Sequence, residues 1–118
     1  MRANADCRSV LEAVRMFRLW RPGASLTDFM SYLYVCENEG ASVKELAYLG
    51  RTSTATMSRS IKYLAGSSEC DLSAECLCLL YSHPDDRRRR IVFLTEYGRQ
   101  LRLEIGALFA LRAVASGT

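Results

Sequence analysis

Residues 83–98 read HPDDRRRRIVFLTEYG, and the reading of this stretch decides the fold. A turn signal, His83-Pro84-Asp85-Asp86, precedes four consecutive arginines, and these run into Ile91-Val92-Phe93-Leu94, a β-prone apolar segment. Like charges held side by side repel, so the run is either a solvated hairpin tip or a loop that pushes guanidinium groups into a polyanion. Upstream, CLCLLYS (76–82) is short, apolar and β-prone; with RIVFL (90–94) it predicts a hairpin whose moderately long tip carries the arginines. Downstream, Thr95 predicts the cap of a long final helix through about Ala115, with Tyr97, Leu101, Ile105, Leu108 and Leu111 on or near one face.

Before the hairpin the pattern is helical. Asp6 predicts an N-cap for a helix of about residues 7–20, with Val10, Val14 and Phe17 as its apolar stripe, stopped by Arg21-Pro22-Gly23. Ser25 or Thr27 caps a second helix running to about Glu39, with Phe29, Leu33 and Cys36 inward, and Gly40 breaks it. Ser42 caps a short third helix, VKELAYL, closed by Gly50. Ser53 caps a fourth, TATMSRSIKYLA, closed by Gly66 as a left-handed C′ residue. Residues 67–75, SSECDLSAE, are small and acidic and read as a loop. The order is four helices, a hairpin and a helix, in a single domain over residues 1–118. That is mainly α with a small β-hairpin (α+β).

The bulk numbers fit a globular chain: 49% apolar and 25% charged over 118 residues, with a net charge of only +3. The distribution says more. Residues 67–78 hold Glu69, Asp71 and Glu75 without a base, whereas residues 87–102 hold six arginines against Glu96 alone. Arginine supplies 14 of the 16 bases, and its planar fork suits phosphates and base edges. The N-terminal MRANADCRSVLEAVRMF scatters charge through its apolar residues and is not a secretory signal. Arg112 interrupts the most apolar stretch, IGALFALRAVA, so no membrane span is expected. The expected location is cytoplasmic, where thiols stay reduced.

A short helix, a tight turn and a helix with one polar face predict a helix-turn-helix at about 42–66. With Met57 at zero angle, Ile61 and Leu64 fall within about 40° of it and form the core stripe. Thr56, Arg59, Lys62 and Tyr63 fall opposite, an outer face with two bases and no acid. An ordinary solvated face would look similar. A basic hairpin beside such a helix makes the pair a winged helix-turn-helix, with the wing at about 76–94 and the C-terminal helix at about 95–115. A narrow minor groove attracts inserted arginine, and each neutralised phosphate releases counterions.

VKELAYLGRTSTATMSRSIKYL resembles the helix-turn-helix of the MarR (multiple antibiotic resistance regulator) transcription factors, and DDRRRRIVFLTEYGRQL resembles their wing and following helix. The wing pattern is Asp, one residue, Arg, six residues, Thr, then Gly three further on: Asp86, Arg88, Thr95 and Gly98, with Ser58-Arg59 inside the helix. The resemblance covers roughly residues 25–105. It implies a sequence-specific double-stranded DNA-binding transcriptional regulator, a homodimer, and a small-molecule effector held between the dimer and DNA-binding regions. It also implies that Arg88 enters the minor groove while Asp86 orients it through a salt bridge. Thr54, Thr56, Arg59, Lys62 and Tyr63 are then nearest the major groove, and Arg87, Arg89 and Arg90 position the wing on phosphates. Three features depart from the pattern. The stretch from Leu64 to Asp86 is about eight residues long in surplus, residues 49–52 lack the usual Leu-Gly-Leu register, and the chain is short. Helix 1 and the Leu101, Ile105, Leu108, Leu111 face are the candidates for dimerisation.

Cys70, Cys76 and Cys78 raise a metal or thiol sensor as the alternative, since winged helices of the ArsR type sense metals through cysteines. Cys76 and Cys78 share a strand face with Leu80 and read as core, as do Cys7 and Cys36 on their helices. No C-x-x-C is present, and His83 reads as a turn residue or phosphate contact. No phosphate loop, nucleophile elbow or carboxylate–histidine cluster points to an enzyme, and no cofactor is expected. A winged-helix interaction module without DNA binding is the remaining alternative, against which the Arg59, Lys62, Arg88 set counts.

Overall fold

The structure, a computed structural model, describes residues 2–66 and 76–117, with side chains described over 7–66 and 76–109. The elements run α1 (Arg2–Trp20), α2 (Leu26–Glu37), α3 (Val43–Leu49), α4 (Thr54–Ala65), β1 (Cys78–His83), β2 (Asp86–Leu94) and α5 (Glu96–Gly117). The acidic stretch with Cys70 lies outside the described residues, as does the side chain of Leu111.

Serine sets the start of three helices. The Ser25 and Ser42 hydroxyls accept the Asp28 and Glu45 amides, and those carboxylates accept the cap amides in return, giving two capping boxes. The Ser53 hydroxyl accepts the Thr56 amide at 3.0 Å. Residues 43–49 and 54–65 are therefore helical as expected. Gly66 does take a positive φ of 73°, but at the C-cap and with ψ at −175°, an extended region that glycine enters freely.

Helix α1 departs from the expectation. It begins at Arg2, so Asp6 lies inside it rather than at its cap. Its core face is Ser9, Ala13 and Phe17, while Val10 (53% exposed) and Val14 (37%) stay in solvent. Cys7 is exposed as well, not core. On α2 the buried stripe is Phe29, Tyr32 and Val35; Cys36 is partly buried and Leu33 is exposed. Helix α5 buries Leu101 and Ile105, with Tyr97 and Leu108 partly buried, and Tyr97 lies 4.3 Å from the Trp20 ring of α1. The proposed dimer face of α5 is thus largely spent inside its own subunit.

Residues Phe17, Phe29, Tyr32, Leu46, Met57, Ile61, Leu64, Leu77, Cys78, Val92, Leu94 and Leu101 make one core beneath all the elements. Each large apolar side chain so enclosed contributes roughly 1.5–3 kcal/mol relative to exposure. The hairpin is antiparallel, and β2 has a further partner on its other edge. Gly40 donates to Val92 O at 2.8 Å, Val92 donates to Ala41 O at 2.9 Å, and Ser42 bridges Ile91. The approach to α3 is therefore stitched to the root of the wing.

Candidate nucleic-acid interface

Helix α4 buries Met57, Ser60, Ile61 and Leu64 and turns Thr54, Ala55, Arg59 and Lys62 to solvent. Two expected surface residues are otherwise engaged. The Thr56 hydroxyl accepts a bond from Ser53 Oγ at 2.9 Å and so belongs to the cap. Tyr63 is half-buried: its hydroxyl donates to Pro22 O at 3.3 Å, and the Arg21 guanidinium stacks 4.4 Å from its ring centroid. Arg21 also donates to the Tyr63 carbonyl at 2.7 Å, in the last turn of the helix, where the Gly66 amide bonds the same oxygen at 3.4 Å. Tyr63 thus links α4 to the α1–α2 turn.

The turn between α3 and α4 is a Schellman motif. Arg51 donates to Tyr48 O at 3.2 Å and Thr52 to Ala47 O at 3.0 Å, with Arg51 at φ 52° in the left-handed position. Glycine usually fills that position. Here Gly50 stands one residue earlier, where an added Cβ would press to 3.2 Å from the Tyr34 ring.

In the wing the arginines sit on β2, not on a loop at the tip, which is only Pro84 and Asp85. The ladder pairs Ser82 with Arg90, and the next pair is His83 with Asp86. Between those pairs β1 supplies no residue and β2 supplies three, Arg87, Arg88 and Arg89. That irregularity bulges Arg87, Arg88 and Arg89 out of the ladder, and all four arginines are exposed. The Asp86 carboxylate accepts the backbone amide of Arg88 at 3.0 Å, while the described residues show no ion pair between the two side chains. The expected guanidinium salt bridge is replaced by a bond that shapes the backbone. His83 Nδ1 accepts the Asp85 amide at 3.1 Å and closes the turn.

Arg89 alone of the four has an acidic partner among the described residues, Glu45 of α3 at 3.1 Å. Ser42, through its side chain and amide, and then Arg89 hold the Glu45 carboxyl below its ordinary value. The sequence shows Ser42-x-x-Glu45 as a capping box but carries no sign that the same carboxylate reaches the wing. The pairing of 40–42 with β2 creates that contact, and no β pattern marks those residues.

Cys36 and Cys78 are poor nucleophiles. Burial pushes the Cys36 thiol up to about 11, despite a hydrogen bond with Tyr32 and the nearby Arg102, and raises that of Cys78 as well. A thiol that keeps its proton neither attacks nor ligates readily. The described residues contain no group of three or more His, Cys, Asp or Glu side chains placed to hold a metal ion. None of the described helices is long and apolar enough to cross a membrane.

No family model matches the sequence, and no curated protein sequence matches it. Solved structures do match. MepR of S. aureus, in complex with DNA, superposes with a TM-score of 0.71 at 15% identity, covering 99% of this chain and 86% of MepR. A MarR transcriptional regulator from Methanosarcina mazei gives 0.64 at 16%, covering 98% and 77%. The repressor CouR, bound to a 23-mer DNA duplex, gives 0.62 at 20%, covering 92% and 69%. The fold is the winged helix of the MarR regulators.

Proposed function

We propose that the protein is a sequence-specific double-stranded DNA-binding transcriptional regulator that acts as a homodimer inside the cell. Helix α4 enters the major groove, with Thr54, Arg59 and Lys62 foremost. Arg88 enters the minor groove, and Arg87 and Arg90 lie on phosphates. Thr56 and Tyr63 act from behind by setting the helix. The observation that carries this reading is the charge arrangement: Arg59, Lys62, Arg87, Arg88 and Arg90 are exposed and have no acidic partner within 4.0 Å among the described residues. Unpaired guanidinium groups bulged from a strand gain by displacing counterions from a duplex. The MepR and CouR structures, solved with DNA, support the same use of the fold. A small-molecule effector would act by changing the relation between the dimer and the DNA-binding elements.

The test is fluorescence anisotropy with a random-sequence duplex across a salt series, for wild type and Arg88→Ala together. Wild-type affinity is expected to fall steeply with salt. Arg88→Ala is expected to bind several-fold more weakly, with the log–log slope shallower by ~1, and to keep the wild-type thermal midpoint. An unchanged affinity removes the wing from the mechanism, and absence of wild-type binding at low salt removes DNA.

A further inference from the structure

Glu45 is an exposed carboxylate next to a surface that otherwise offers bases to a polyanion. Beside phosphate it would repel, so its presence needs an account. The carboxylate makes two contacts at once. It accepts the Ser42 amide at 3.3 Å, closing the α3 capping box, and it pairs with Arg89 at 3.1 Å. The backbone of residues 40–42 is stitched to β2 at Ile91 and Val92. The ion pair lies two residues further along the strand, within the stretch that β1 leaves unpaired. Among the described residues, no other side-chain hydrogen bond or ion pair ties residues 87–89 to the helical body. Helix α3 in turn packs on α4.

We propose that Glu45 is a positioning residue for DNA recognition: through Arg89 it fixes the direction of the arginine segment relative to α4. This deepens the DNA-binding reading and rests on it. The major-groove and minor-groove elements can report on one site together only if the distance between them is set before binding. A freely swinging wing would still meet phosphates but would have to be ordered at each encounter. Glu45 therefore contributes to discrimination between sequences more than to binding as such. Arg89 is spent on this bond rather than on phosphate.

The experiment is a double-mutant cycle with Glu45→Gln, Arg89→Met and the double variant. Glutamine keeps the capping box and removes the charge. Two duplexes serve as probes, one selected by the wild type from a randomised pool and one of random sequence. Expected is a roughly 2- to 5-fold loss of preference for the selected duplex in Glu45→Gln, of the order an exposed ion pair supplies. Binding to the random duplex should hold or strengthen, and the thermal midpoint should stay unchanged. The double variant should be no worse than Arg89→Met alone. Equal strengthening on both duplexes would mean that the acid only repels DNA, and additive effects would mean that it acts without Arg89; either overturns the proposal. A wild type that binds neither duplex overturns the DNA reading itself, whereas normal wild-type selection with an indifferent Glu45→Gln overturns only the role of Glu45.

Discussion

A methyl group at Gly98 would run into the Leu77 carbonyl oxygen, with the Leu94 side chain close behind. Glycine there lets the first turn of α5 lie directly on the strand entry. Its neighbours exploit the closeness: Thr95 Oγ1 donates to Cys76 O and accepts the Gly98 amide at 2.9 Å, and Tyr32 donates to the Gly98 carbonyl at 2.6 Å. Gly98→Ala should therefore destabilise the protein by roughly 3 kcal/mol, although alanine is the better helix former. Urea unfolding measures this, and an unchanged midpoint would mean that α5 can stand off the hairpin at no cost. The Thr95 to Gly98 spacing was legible in the sequence. Its cause was not, because the obstructing carbonyl belongs to a residue twenty-one positions earlier.

At the scale of elements, Glu39 is the joint between the wing and α5. It accepts the Leu94 amide at 2.9 Å and pairs with Arg99 at 3.2 Å and Arg102 at 3.6 Å. Burial alone would raise its carboxyl, but the Leu94 amide and the two guanidinium groups outweigh that and hold it low. A carboxyl lowered in the folded state stabilises the fold above its unfolded value of about 4.3, and that contribution is lost as pH falls through the folded value. Glu39→Gln should thus be less stable than wild type at pH 7, with the gap closing below about pH 4. Urea midpoints of both proteins across pH check this, and a gap that is constant with pH would remove the charge from the account. The helices were largely legible because serine caps and glycine stops act within a few residues. The face of α1 was misread by one position: Ser9 and Ala13, small enough to admit close packing against α5, took the core side from Val10 and Val14. The limits of the strands were hidden because pairing partners are distant in sequence. Nothing in residues 40–42 advertises that they will flank β2.

For the molecule as a whole, the apolar surface left over is the informative quantity. Val10, Leu11 and Val14 on α1 and Leu103 and Phe109 on α5 are exposed, whereas the expected Leu101 and Ile105 are consumed internally. Exposed apolar groups gathered on the two long helices fit self-association. Leu11→Glu combined with Val14→Glu should weaken the proposed dimer at least tenfold, roughly the effect of two charges placed in an apolar contact. Sedimentation equilibrium reads this directly, and a wild type that is monomeric at micromolar concentration would overturn it. A dimer would set two copies of α4 about 34–36 Å apart and favour a two-fold symmetric site. The exposed bases of α4 and β2 were readable as charge and turn chemistry. The engagement of Tyr63 was not, since it depends on Arg21 arriving from the α1–α2 turn. The three unpaired residues of β2 carry one more consequence. The ladder from Cys78 to Ser82 is registered independently of the turn at His83–Asp86, so residues 87–89 have no ladder partner to keep in register. An insertion or deletion there would alter how far the hairpin extends and leave the inward alternation of Cys78, Val92 and Leu94 untouched. Reach is in this sense a dimension along which the chain can evolve without rebuilding its interior.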